Sequence, residues 1–158
     1  MPLWPVAQQN RNADQIAAEI QRAAMRAQED FGTDLTLAVV DYANLIPRTA
    51  GSRAQNRDQE MHEISMRLKT FALDEKVPVI LGAQLNRKTD MSESGRPLLS
   101  HLRDSGTLEQ NADIVIGVWP ITNYMEEKEK QRAINGFQEG WEPYVLSVLK
   151  NRDGAVGD

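Results

Sequence analysis

The run Leu-Thr-Leu-Ala-Val-Val-Asp, residues 35–41, constrains this chain more than any other stretch. Apart from the β-branched Thr36, every residue up to Val40 is apolar, and the run ends in an acid. A short apolar run of this kind predicts a strand buried on both faces of a parallel sheet covered by helices. Ligands of open α/β sheets bind beyond the carboxyl ends of the strands, so Asp41 falls where chemistry is expected. A carboxylate there can hold the water shell of a Mg²⁺ ion that bridges nucleotide phosphates. Taken alone, the same acid can equally turn the chain or cap the next segment.

The rest of the chain alternates strands with helices. Leu3–Val6 is a weak strand candidate, interrupted by Pro5 and preceded by Pro2. Asn12 with Gln15 reads as a capping box, and Ile16, Ile20, Ala23, Ala27 and Phe31 recur at helical spacing before Gly32 stops the helix. After the Asp41 strand and a polar stretch (48–57), a second helix carries Met61, Ile64, Leu68 and Phe71 on one face. Too short for a coiled-coil seam, that stripe predicts core packing. Pro78–Gln84, Asp113–Trp119 and Tyr144–Lys150 read as further strands, the last two separated by a charged insertion from Met125 to Gly140. The order β-α-β-α-β predicts a parallel α/β sheet with Asp41 and Gln84 at one carboxyl edge. An amide at such an edge can bond both a phosphate oxygen and the loop beyond it. A polar residue simply leaving its strand is the plainer alternative.

Composition narrows the function classes. The chain has 158 residues, enough for one domain with a sizeable core. With no cysteine, a disulfide framework, a Cys-based zinc site and a thiol nucleophile are excluded. No apolar stretch is long enough to span a bilayer, and the start lacks the pattern of a signal peptide, so a cytoplasmic location without membrane contact is expected. A net charge of −5 argues against a general polyanion coat, so any nucleic-acid contact must come from a local patch or from backbone amides. His62 and His101 have no ligand-spaced partner and read as surface residues; Trp4, Trp119 and Trp141 read as packing residues.

Several blocks of the chain together resemble the DnaB-type replicative helicases. They are Val39-Val40-Asp41-Tyr42, then Asn56-Arg57-x-x-Glu60-x-x-Glu63-Ile64-Ser65-x-x-Leu68-Lys69. Val77-Pro78-Val79-Ile80 follows, running into Gln84-Leu85-Asn86-Arg87. Next comes Arg96-Pro97-x-Leu99-Ser100-x-Leu102-Arg103-x-Ser105-Gly106-x-x-Glu109-Gln110-x-Ala112-Asp113, and the set closes with Lys150-x-Arg152-x-Gly154. No single block is specific. Their order and spacing, over residues 35–157, are.

The resemblance implies a RecA-like ATPase core, part of a motor that forms a six-membered ring of identical subunits around single-stranded DNA, with primase or a loader as further partners. ATP and Mg²⁺ are the implied cofactors. Asp41 matches the Walker B acid that orders Mg²⁺ through water, and Gln84 the sensor of the γ-phosphate. Lys150 and Arg152 match a basic pair that enters the neighbouring subunit's ATP site. Cations spaced i, i+2 on a strand point the same way, as a shared phosphate requires. Such a finger is worth ~10³–10⁵ in rate. Without the resemblance, the pair reads as a solvated strand end. The stretch 86–106 matches the DNA-facing loop, with Arg87 among its basic residues and Arg103, Asp104 and Gly106 at positions that touch the DNA backbone. Asp104 replaces the family's usual glutamate, which leaves main-chain contacts intact. Phosphate contacts hold a strand without reading its sequence, as translocation needs.

One departure is large. The phosphate-cradling loop G-x-x-x-x-G-K-[ST] occurs nowhere in the chain, and the family's catalytic glutamate on the following strand is missing with it. Residues 1–158 therefore resemble the later half of the ATPase domain, with a sheet incomplete at both ends. The strand 113–119 loses its family neighbour, so a cleft, a non-native pairing or recruitment of a second molecule is expected. Asp153-Gly154 signals a hairpin turn with four residues after it, too few for a full return strand. Two function classes fit: part of an ATP-dependent helicase motor, or a non-hydrolysing module that docks on ring subunits and donates its basic pair in trans. A RecA-like recombinase fits the block from Gln84 to Asp113 less well. Either of the two leading classes predicts that the purified chain hydrolyses no ATP, since nothing in it cradles the β- and γ-phosphates. A coupled phosphate-release assay checks this; turnover abolished by Asp41→Asn would overturn it.

Overall fold

The computed structural model describes residues 3, 5–6, 10–84, 99, 106–120 and 144–157. The chain divides into two compact units, Met1–Gln84 and Leu85–Asp158. The insertion at 125–140, Trp4, Trp141 and His101 lie outside the described residues.

The first unit begins with helix α1, Ala13–Phe31. Its capping box is formed as the sequence predicts. The Gln15 amide donates to Asn12 Oδ1 and the Asn12 amide to Gln15 Oε1, both at 3.0 Å. Two of the orphan donors at the helix start are thereby satisfied. Gly32 ends the helix with φ 61°, and its N–H returns to the carbonyl of Gln28 at 2.9 Å. A left-handed φ there suits glycine, which has no Cβ to clash. The buried stripe runs through Ala13, Ala17, Ile20 and Ala27, slightly rotated from the predicted one. Phe31, expected on that stripe, is exposed because the helix ends beneath it.

Strand β1, Ala38–Val40, pairs in parallel with β2, Val79–Leu81, in the register Ala38↔Val79, Val39↔Ile80, Val40↔Leu81. Helix α2, Arg57–Glu75, makes the crossover and carries Met61, Ile64, Leu68 and Phe71 buried, as predicted. Both helices pack on one face of the strand pair. Ala17 and Ile20 from α1, Phe71 from α2, and Ala38 and Val77 form one cluster, with Ile16, Leu35 and Val79 against it. The ladder is shorter than the apolar run 35–41. Its next pairing upstream would fall on Pro78, which has no N–H to give and accepts only from Ala38, at 2.9 Å.

Two expectations fail in this unit. Leu3–Val6 forms no strand at its described residues, and Leu3 and Val6 are exposed; Pro5 cannot donate to a ladder. The central strand is not buried on both faces. Val39 is 66% exposed and its partner Ile80 54%, because α1 and α2 cover the opposite face and no described residue covers this one.

In the second unit, helix α3 (Gly106–Asn111) leads into β3 (Ile114–Pro120), which pairs with β4 (Tyr144–Asn151). This pairing is antiparallel, from Ile114↔Asn151 to Pro120↔Tyr144, and it corrects the expectation of parallel strands throughout. It also supplies the strand at 113–119 with a neighbour along its whole length. The register shifts between Val115↔Lys150 and Ile116↔Val148, leaving Leu149 as the extra residue of a bulge. Gly117 makes room for the buried Trp119 ring: a Cβ there would lie 2.8 Å from its Cζ3. After β4 the chain turns back as Asp153-Gly154 predicts. Val148 and Gly157 exchange backbone hydrogen bonds of 2.7 and 3.0 Å in a single bridge.

Two substitutions test the first unit. Met61 is fully buried, so Met61→Ala should lower unfolding free energy by about 2–5 kcal/mol. Lys76 closes α2 with φ 55°, where a side chain crowds the backbone. Lys76→Gly relieves that crowding and should raise stability by about 0.5–1 kcal/mol after glycine's entropic cost. Urea unfolding midpoints decide both; a destabilised Lys76→Gly would contradict the left-handed cap.

Candidate functional site

At the carboxyl edge of β1 and β2 the backbone brings two candidate residues together. Asp41 follows the last residue of β1, and Gln84 lies three residues beyond β2. Two main-chain hydrogen bonds tie the edge: Gly82 N–H to the Val40 carbonyl at 2.9 Å, and Ala43 N–H to the Gly82 carbonyl at 2.8 Å. The Asp41 carboxylate lies over Gly82, where a Cβ would come 3.4 Å from Asp41 Oδ1 and 3.4 Å from Tyr42 Cβ. A bare glycine lets the two chain segments close up there. Asp41 and Gln84 are both exposed at the edge, free to meet a ligand from solvent.

Beyond Asp41 the chain makes a 3₁₀ turn, Ala43–Leu45, anchored by the buried Ala43 and Ile46. This turn links to both neighbouring segments. The Asn44 side-chain oxygen accepts from the Gln84 amide at 3.5 Å, a long bond. The Asn44 carbonyl accepts from Arg57 Nη2 at 2.9 Å, while Arg57 Nη1 pairs with Glu60 at 2.9 Å. Arg57 thus clasps the Asp41 loop to the first turn of α2. Sequence reasoning assigned no role to Asn44 or Arg57. The signal available was the position of Arg57 directly after the N-cap Asn56 and three residues before Glu60.

Among the described residues, no three His, Cys, Asp or Glu side chains come together as a metal cage. A divalent ion at Asp41 would therefore keep most of its water shell, which suits Mg²⁺, an ion that dehydrates reluctantly. The donor set fits water-mediated binding.

In the second unit, Lys150 and Arg152 reach one segment, the junction between α3 and β3. Lys150 Nζ donates to the carbonyls of Glu109 at 2.5 Å and Gln110 at 3.4 Å, near the end of α3. Arg152 Nη1 pairs with Asp113 Oδ1 at 2.8 Å, and the Arg152 amide donates to the Asp113 carbonyl at 3.0 Å. Neither cation is a bare, solvated strand end. Sequence reasoning missed Asp113 as a partner, because only the antiparallel register of Ile114 with Asn151 makes the two neighbours. Of the loop candidates, Gly106 opens α3, whereas Arg87, Arg103 and Asp104 lie outside the described residues. His62 is exposed and Trp119 is packed, as expected.

Residues 4–158 match the family described as the DnaB-like helicase C terminal domain. The chain is 36% identical over 147 residues to the replicative DNA helicase DnaB of Mycoplasma pneumoniae, covering 91% of this chain and 28% of that protein. It is 34% identical over 140 residues to the DnaB helicase of Geobacillus stearothermophilus, again covering 28% of the relative. The chain thus spans under a third of the length of these relatives. Among solved structures, a helicase ATPase domain superposes with TM-score 0.73 at 27% identity, over 94% of this chain and 46% of that one. A DnaB-like replicative helicase studied with its primase interactions superposes with TM-score 0.69 at 25% identity, over 94% of this chain and 32% of that one. These neighbours fix the fold class as α/β and RecA-like, with the antiparallel β3–β4 pair as a local feature. The chain belongs to the DnaB-like helicase C-terminal domain family.

Proposed function

We propose that this chain serves as part of a ring-forming, ATP-dependent DNA helicase motor that moves along single-stranded DNA during replication. The observation that carries the reading is the shared carboxyl edge of β1 and β2, which presents Asp41 beside the segment leading to Gln84. Asp41 would order a Mg²⁺ ion through water, and Gln84 would meet the γ-phosphate of ATP and pass its state to the residues that follow. The long bond from the Gln84 amide to Asn44 supports this, since it ties the sensor segment to the Asp41 loop.

The sequence holds no phosphate-binding loop, so ATP turnover requires a polypeptide segment that supplies one. In a ring completed in this way, Lys150 and Arg152 act on the nucleotide of the adjacent subunit, where a guanidinium stabilises charge developing on the transferred phosphoryl group. Arg87, Arg103, Asp104 and Gly106 hold the DNA backbone without reading its bases. Other copies of the subunit, in a homohexamer, and a primase or loader are the partners. The setting is cytoplasmic, which agrees with the finding that no described helix is long and apolar enough to cross a membrane. A second reading, favoured by the missing phosphate loop, is a non-hydrolysing module that docks on ring subunits and donates Arg152 to them.

Mixing experiments test the trans role. In rings completed with a phosphate-loop segment, Arg152→Ala should reduce ATPase turnover by ~10³-fold or more while leaving nucleotide binding largely intact. Mixing Arg152→Ala with Asp41→Asn subunits should recover part of the activity, since a mixed interface can hold one intact site. Absence of recovery at every ratio would exclude action across the boundary. The module reading instead predicts that the chain stimulates a phosphate-loop-bearing ring without joining it as a hydrolysing subunit.

A further inference from the structure

We infer that Asp113 is a positioning residue for Arg152, and that the α3–β3 junction is the frame on which both cations of the finger are set. The inference rests on the reading of Lys150 and Arg152 as residues acting on a neighbour's nucleotide. It adds what holds them. Arg152 is fixed at two points: its amide donates to the Asp113 carbonyl at 3.0 Å, and its Nη1 pairs with Asp113 Oδ1 at 2.8 Å. One residue thus restrains both the root and the tip of the side chain, and so the torsions between them. An arginine beyond the end of a strand, without such a partner, would sample many rotamers and lose order each time it met a phosphate.

The contact with Asp113 occupies little of the guanidinium. An arginine presents five N–H donors, and the pair uses Nη1 alone. Both side chains are 50% exposed, so the pair is not sealed from an approaching phosphate. Lys150 complements it. Its ammonium sits on the Glu109 and Gln110 carbonyls, just upstream of Asp113. The bulge at Leu149 lies immediately before Lys150, so the last residues of β4 are set by a local change of register.

Exposure also decides how the role can be separated from stability. An ion pair this accessible contributes little to folding. Removing Asp113 should therefore leave the unfolding midpoint nearly unchanged. A misplaced finger, by contrast, loses an interaction made only in the transition state, so kcat falls while KM stays.

The test uses the full chain in rings completed with a phosphate-loop segment, assayed for ATPase kinetics, alongside NMR of the chain itself. Asp113→Ala should lower kcat on the order of ten- to a hundredfold with KM for ATP within about twofold. Asp113→Asn, which keeps a carbonyl oxygen as acceptor, should recover most of that loss. In the isolated chain, Arg152 guanidinium resonances should show slowed rotation that Asp113→Ala abolishes. If the alanine variant does not assemble, Asp113→Ser takes its place with the same expectation. Unchanged or raised kcat in the Asp113→Ala ring, with Arg152→Ala inactive, would overturn the positioning role alone. Unchanged kcat in the Arg152→Ala ring would overturn the finger reading and this inference with it.

Discussion

The first unit depends on the register of one short parallel pairing. Ala38 against Val79 sets Val40 beside Leu81, and from there the hydrogen bonds of Gly82 to Val40 and Ala43 to Gly82 close the edge. A shift of one residue would turn every side chain of β2 to the opposite face. Val79 would leave the helices, and the segment carrying Gln84 would move away from Asp41. The register is held by burial on one face, where Ala38 and Val79 meet Ile20 and Phe71, and is bounded upstream by Pro78. Packing in the core and placement of the candidate site are therefore one constraint.

The second unit obeys a different one. Its strands pair antiparallel, and this brings opposite charges at two strand ends into contact. Asp113 precedes β3 and Arg152 follows β4, so their meeting is a consequence of ladder direction. The same ladder puts Lys150 within reach of the final turn of α3. A buried tryptophan beside a glycine fills the covered face, while Ile114, Ile116, Val118 and Leu146 line the other in alternation and remain exposed.

Each unit thus carries an apolar sheet face that no described residue covers. In the first it is Val39 with Ile80. Apolar faces of that kind fit strands whose neighbours come from elsewhere in a larger assembly. They agree with a chain that spans under half the length of the ATPase domain it resembles in structure. Helix α2, for all its length, covers one side only, because a single right-handed crossover delivers one helix to one face.

Local patterns were legible in the residues themselves. The capping box at Asn12, the stop at Gly32, the stripe from Met61 to Phe71 and the turn at Asp153-Gly154 follow from short-range chemistry that needs no distant partner. Asp41 stood out because an acid ends an apolar run. Strand direction was not legible, since β3 and β4 look alike whichever way they pair and the residues between them carry no fixed geometry in their composition. Burial of both faces was overestimated for the same reason: an apolar run records what a strand can tolerate, and tertiary packing decides which face is covered. Sequence alone determined the elements, the family resemblance and the identities of Asp41, Gln84, Lys150 and Arg152. Only tertiary structure decided that Asn44 and Arg57 brace the first edge and that Asp113 holds Arg152, because those contacts join segments up to 40 residues apart through the pairing of strands.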